Sequence, residues 1–120
     1  MTAAGKLPDH LARLGIEQRA AAGQLEALRG DFDGIVAASA DSNADDEHDP
    51  EGSTIAFERS QVAALIAQVE HRLTEIEAAR ARIRAGTYGT CEMCLDPIAA
   101  DRLQARAVAR TCVECVPNSR

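Results

Sequence analysis

Four cysteines, all within the last thirty residues of a 120-residue chain, fall as Cys91-x2-Cys94, then seventeen residues, then Cys112-x2-Cys115. Two residues between thiolates let both sulfurs of a knuckle reach one ion, and two such knuckles complete a closed tetrahedral set with sulfur at ~2.3 Å from zinc. With no position left open for water, such a metal is structural. Between Tyr88 and Val116 the apolar complement is Tyr88, Leu95, Ile98, Leu103, Val108, Val113 and Val116, too little for an independent core. Metal has to substitute for the core, and zinc binding of ~10–16 kcal/mol in small fingers then supplies most of the module's folding energy. Iron would use the same sulfur set; the spacing does not separate the two metals, and zinc is the commoner occupant. The competing uses of four cysteines are two disulfides, disfavoured where thiols are kept reduced, and a thioredoxin-like redox pair, which needs a strand-and-helix domain that this tail is too short to build.

The rest of the chain carries two heptad patterns. From Leu7 a seam runs at alternating intervals of four and three through Leu11, Leu14, Gln18, Ala21, Leu25, Leu28, Phe32 and Ile35, apolar at every position but Gln18. A second runs Ile55, Val62, Val69, Ile76, Ile83 at intervals of seven, with Ile66 and Leu73 between them and Arg59 and Arg80 as interruptions. Repeats of this kind predict helices meeting along a narrow seam. A composition with 24 alanines, one Tyr, two Phe and no Trp suits such a seam better than a thick sandwich or barrel.

Residues 40–52 lack periodicity and hold six carboxylates without a base, which accounts for the whole formal charge of −6. They read as an acidic loop between two helical runs of about 33 residues, roughly 50 Å each at 1.5 Å per residue. Equal runs let the seams face each other antiparallel. Asp49-Pro50 is a start signal for the second helix, with Asp as N-cap and Pro at the first helical position, and Gly86 ends it. Gly15, Gly23, Gly30 and Gly34 weaken the first run, each by about 1 kcal/mol relative to Ala, leaving open a helix bent or broken near Gly30 and Gly34. A homodimeric coiled coil would satisfy the same heptads. The expected architecture is mainly α: a long antiparallel two-helix coiled-coil hairpin over residues 1–86, with its acidic tip at 40–52, and a small C-terminal C4 zinc-finger module over 87–120. A monomer is expected.

With 13 basic and 19 acidic residues the chain is not built for non-specific attraction to nucleic acid or anionic membrane. No stretch approaches 18 consecutive apolar residues and the N-terminus lacks a signal-peptide core, so a cytoplasmic location is expected. The cysteine spacing also occurs in GATA-type fingers that bind DNA. Residues 91–120, however, set Arg102, Arg106, Arg110 and Arg120 against Glu92, Asp96, Asp101 and Glu114, with no lysine and no aromatic residue for base stacking. Sequence-specific DNA binding is not expected. His10, His48 and His71 read as solvated bystanders, and no Ser/His/Asp set, phosphate-cradling loop or paired buried carboxylates supports an enzyme.

Tyr88-Gly89-Thr90-Cys91-x2-Cys94, then Ile98, Arg102-Leu103-x-Ala105 and Cys112-x2-Cys115, placed at the end of a helical hairpin, resemble the DksA/TraR family of C4-type zinc-finger proteins. The resemblance implies a transcription regulator that binds RNA polymerase: the zinc-finger base docks on the rim of the secondary channel and the coiled-coil tip points toward the active site. It further implies that ppGpp is a possible co-ligand, although no residue of the base carries that contact over. Leu95 stands where the family usually has Gly, and Ala107 where Pro is common; both are expected to alter a turn. At the tip the resemblance implies a working carboxylate among Asp45, Asp46, Asp49 and Glu51, without choosing between them. Asp46 and Asp49 have the two-residue gap of the family's aspartates, whereas pairing by the Asp-Pro step puts Gly52 at the second acidic position. Two other functions fit the residues: a zinc-stapled coiled-coil adaptor unrelated to polymerase, and a transcript-cleavage stimulator like the Gre factors.

Overall fold

The computed structural model describes residues 7–42 and 50–116, with side chains for 7–40 and 54–116. Helix α1 spans Leu7–Ser42 and α2 spans Pro50–Ala85, 36 residues each, and a short α3 covers Ala100–Ala105. Both long helices therefore run further into the acidic stretch than its lack of periodicity suggests, and Pro50 takes the first position of α2. Among the described residues the only β-pairing is one isolated bridge between Thr90 and Pro97.

α1 continues unbroken through Gly15, Gly23, Gly30 and Gly34. None of the four needs to be glycine for conformational reasons, because only Gly86 and Gly89 take positive φ. A Cβ built on Gly23, Gly30 or Gly34 meets nothing within 4 Å. Gly23→Ala and Gly34→Ala are therefore expected to stabilise the helix by about 0.5–1 kcal/mol each. The gain should show as a small rise in melting temperature; a fall would mean that these positions are packed.

α2 ends as its glycine requires. Gly86 sits at φ +80, its N–H bonds to the Ile83 carbonyl at 3.2 Å, and the Thr87 N–H reaches back to Arg82 O at 2.9 Å. These two bonds are the Schellman pair, which satisfies carbonyls that the helix end would leave open.

The chain forms two compact units, residues 1–19 with 73–120, and residues 20–72. The boundary expected at 86/87 falls inside the first of these. Its core joins Leu14, Ile76 and Ala79 of the long helices to Tyr88, Cys91, Ile98, Leu103, Ala107 and Ala109 of the tail. The tail thus does not rely on its own apolar residues alone: it shares those of the long helices, while Leu95 and Val113, counted above as core, are 73% and 64% exposed. Two further expectations change at the start of α1. Leu11 is exposed, and His10, read as a bystander, is buried with its ring centroid 5.3 Å from that of Tyr88. The apolar contact therefore passes from Leu7 through His10 to Leu14, an i, i+3, i+7 path that meets the tail.

Two of the three polar interruptions of the seams meet in the same unit, the Arg80 guanidinium donating to the Gln18 side-chain oxygen. In the second unit Ala21, Leu25 and Val69 are buried, and an exposed ion pair joins Arg29 to Glu70 at 2.8 Å. Phe32, Ile35, Ile55 and Val62 of the same unit are only half-buried. There Gly30, Gly34, Ile35, Ile55 and Val62 line a groove of about 550 Å³.

Candidate metal centre

The first knuckle is set by main-chain hydrogen bonds around Cys91. Its N–H donates to Asp96 O at 2.8 Å, the Leu95 N–H donates to Cys91 O at 3.0 Å, and the Ile98 N–H closes the strap on Gly89 O at 2.7 Å. The chain must double back immediately after Cys94 for Asp96 to reach Cys91, and Leu95 accomplishes this at φ 67. The second knuckle is a plain turn, with the N–H groups of Cys115 and Val116 on Cys112 O at 3.1 and 3.2 Å. A bond from the Glu92 N–H to Arg110 O, 2.9 Å, ties the two knuckles together. Neither departure from the family pattern removes its turn: Leu95 closes the first knuckle, and the Ala109 N–H bonds to Arg106 O at 3.1 Å across Ala107.

Arginines add to the shared core by binding carbonyls of the tail. Arg13 of α1 donates to Gln104 O and Leu103 O, Arg82 of α2 donates to Val108 O at 3.3 Å, and Arg102 donates to Thr111 O at 2.8 Å. Burial, and then the nearby Arg110 charge, lower the pKa of Arg82. The Tyr88 hydroxyl donates to Ala107 O at 2.7 Å, and burial pushes its pKa up. These anchoring roles of Arg13, Arg82 and His10 were not visible in the sequence, because nothing in a heptad marks which charged residue will face a neighbouring loop.

The structure brings all four predicted ligands together. The sulfurs of Cys91, Cys94, Cys112 and Cys115 lie within 4.8 Å of one another, with Cys94 and Cys112 3.8 Å apart. Four sulfurs around a tetrahedral zinc at ~2.3 Å would lie ~3.8 Å from each other, and no disulfide forms. The donors also need a cation for electrostatic reasons. Burial disfavours the Cys91 thiolate, yet hydrogen bonds from the main chain of Cys94, Cys112 and Met93 outweigh it and bring its thiol down to about 6. Cys115 moves the other way: its bond with Cys112, burial and the neighbouring sulfurs push it up to about 12. Four thiolates cannot crowd one pocket without a positive ion, and a dication that displaces their protons relieves the conflict.

Residues 86–115 match a family model described as the prokaryotic dksA/traR C4-type zinc finger. The finger belongs to the DksA/TraR family. A finger of this kind takes one structural zinc ion, and the four sulfurs are placed to hold it. The fold around this DksA/TraR finger is shared more widely: the structure of the transcription factor DksA2 from Pseudomonas aeruginosa is similar with a TM-score of 0.77 at 21% identity. The match covers 96% of this chain and 83% of that one. No curated protein matches the sequence.

The tip residues Asp45, Asp46 and Asp49 lie outside the described residues, and so does the side chain of Glu51. His48 lies outside them as well. Among the described residues no helix is long and apolar enough to cross a membrane.

Proposed function

We propose that this chain is a transcription regulator, not an enzyme, that binds RNA polymerase as a monomer in the cytoplasm. The zinc-finger base docks at the rim of the secondary channel, and the acidic segment between α1 and α2 reaches toward the active site. The observation that carries this reading is the packing of a DksA/TraR finger onto the ends of two antiparallel helices in one core, the arrangement of a transcription factor's fold. Two features support it. Both knuckles expose apolar side chains, Met93 and Leu95 on the first and Val113 on the second, which suits a docking base. Residues 20–72 carry eleven carboxylates against three arginines, which suits an element that meets basic groups or a bound Mg²⁺ ion.

The test separates anchoring from action. Neutralising Asp45, Asp46, Asp49 and Glu51 to Asn or Gln is expected to abolish the effect on initiation at a sensitive promoter while polymerase affinity changes little. Disrupting the finger is expected to remove affinity first. Full regulatory activity in the neutralised variant would refute the tip's role, and failure of the wild-type chain to recover core polymerase from its source cell would refute the reading itself. The adaptor reading draws on Phe57 and Leu65, exposed on α2; sedimentation as an obligate dimer would favour it.

A further inference from the structure

Three described residues take left-handed backbone, and two are glycines, Gly86 and Gly89; the third is Leu95. A glycine visits this region freely, whereas an L side chain is crowded by the neighbouring carbonyl. Such strain persists where surrounding structure over-determines it. Packing does not provide the compensation here, since Leu95 is 73% exposed. What holds it is the knuckle itself: the Leu95 N–H on Cys91 O, and the Asp96 carbonyl that must return to the Cys91 N–H. Val116 occupies the matching place after the second knuckle and is not in the left-handed region. The strain is confined to one of the two knuckles. In that same knuckle Cys94 is exposed, while Cys91 is fully buried and Cys112 and Cys115 are half-buried.

We propose that Leu95 is a built-in weakness of the zinc site: the first knuckle closes on the metal against backbone strain, and the metal leaves through Cys94. When zinc departs, the segment after Cys94 relaxes to an ordinary backbone conformation, so opening is favoured on this side. The strain of a left-handed non-glycine residue corresponds to about a ten-fold weaker site than glycine would give. The finger's occupancy, and the packing that depends on it, then follows the free zinc level more closely than a glycine-closed knuckle would allow. This inference goes beyond the polymerase reading and is independent of it.

The experiment uses the zinc-loaded full chain and zinc itself, with release followed by a chromophoric chelator. Leu95→Gly is expected to bind zinc about ten-fold more tightly, seen mainly as slower release. Leu95→Ala keeps the Cβ and its strain and is expected to stay within about two-fold of wild type. Alkylation under limiting chelator, mapped by mass, should modify Cys94 first and Cys91 last. Release from Leu95→Gly as fast as wild type or faster would overturn the proposal, as would loss of zinc from that variant. Equal tightening by Ala and Gly would assign the effect to the exposed side chain and overturn it too. Another cysteine alkylated first would overturn the exit route.

Discussion

Cys112→Ser, or removal of zinc by a strong chelator, is expected to unfold the tail while most of the helical signal survives. Each lost thiolate removes a direct ligand, so zinc affinity should fall by more than the 10–100-fold that loss of an outer-shell partner produces. The packing sets how far the damage spreads. Tyr88, Cys91, Ile98, Leu103, Ala107 and Ala109 share one core with Leu14, Ile76 and Ala79, so the adjoining helix ends should loosen with the tail. Residues 20–72 form a unit with their own buried Ala21, Leu25 and Val69 and should remain helical. The chain provides its own probe. Tyr88 is the single tyrosine and there is no tryptophan; it is 7% exposed and its hydroxyl is bonded to Ala107 O. Near-ultraviolet ellipticity and tyrosine emission should change on chelation and recover on adding zinc back, with far-ultraviolet ellipticity mostly retained. Purified protein free of zinc, with all four thiols reactive and the Tyr88 signal already native, would refute a metal-stapled tail.

Legibility in the sequence followed the physics of each signal. The cysteine spacing picked out the four sulfurs that come together because the geometry of a knuckle is local, and Gly86 marked the end of α2 because a left-handed cap has few other residues to choose from. The seams were legible wherever helix packs on helix, as at Leu14, Ala21, Leu25, Val69 and Ile76. They failed where a third element intrudes: at the first turn of α1 the neighbour is Tyr88, so His10 is buried and Leu11 is not. The sharing of one core by helices and tail was not legible for the same reason: the tail is poor in apolar residues, and Leu14, Ile76 and Ala79 of the helices add to them. Leu95 was visible as a departure. Its consequence was not, because the departure preserves the turn and places the cost in the backbone. The glycines of α1 misled in the opposite direction, since a helix held by its seam tolerates exposed residues of poor propensity.

Ile76 is the position at which a single change should weaken the molecule most through packing alone. It is fully buried in the cluster with Leu14 and Ala79. Ile76→Ala is expected to cost about 3 kcal/mol from lost transfer energy and the cavity left behind, a large share of the 5–15 kcal/mol typical of a domain. Ile76→Asp should cost at least as much, for burying a carboxylate is worse than leaving a void. The surroundings temper it: residue 80 is one helical turn further on, and the buried Arg80 Nε has no hydrogen-bond partner, so an Asp at 76 would find a partial counter-ion. Val69→Asp acts in the unit of residues 20–72, where Val69 is 6% exposed. The two sites are therefore expected to give different signatures, read in one melt. Changes at Ile76 should lower the transition seen by Tyr88 and hasten zinc release. Val69→Asp should lower the transition seen by helical ellipticity and leave zinc retention near that of wild type. Identical shifts in both signals from both sites would mean that the chain melts as a single cooperative block. Unchanged melting in either variant would mean that its seam position does not carry the packing assigned to it.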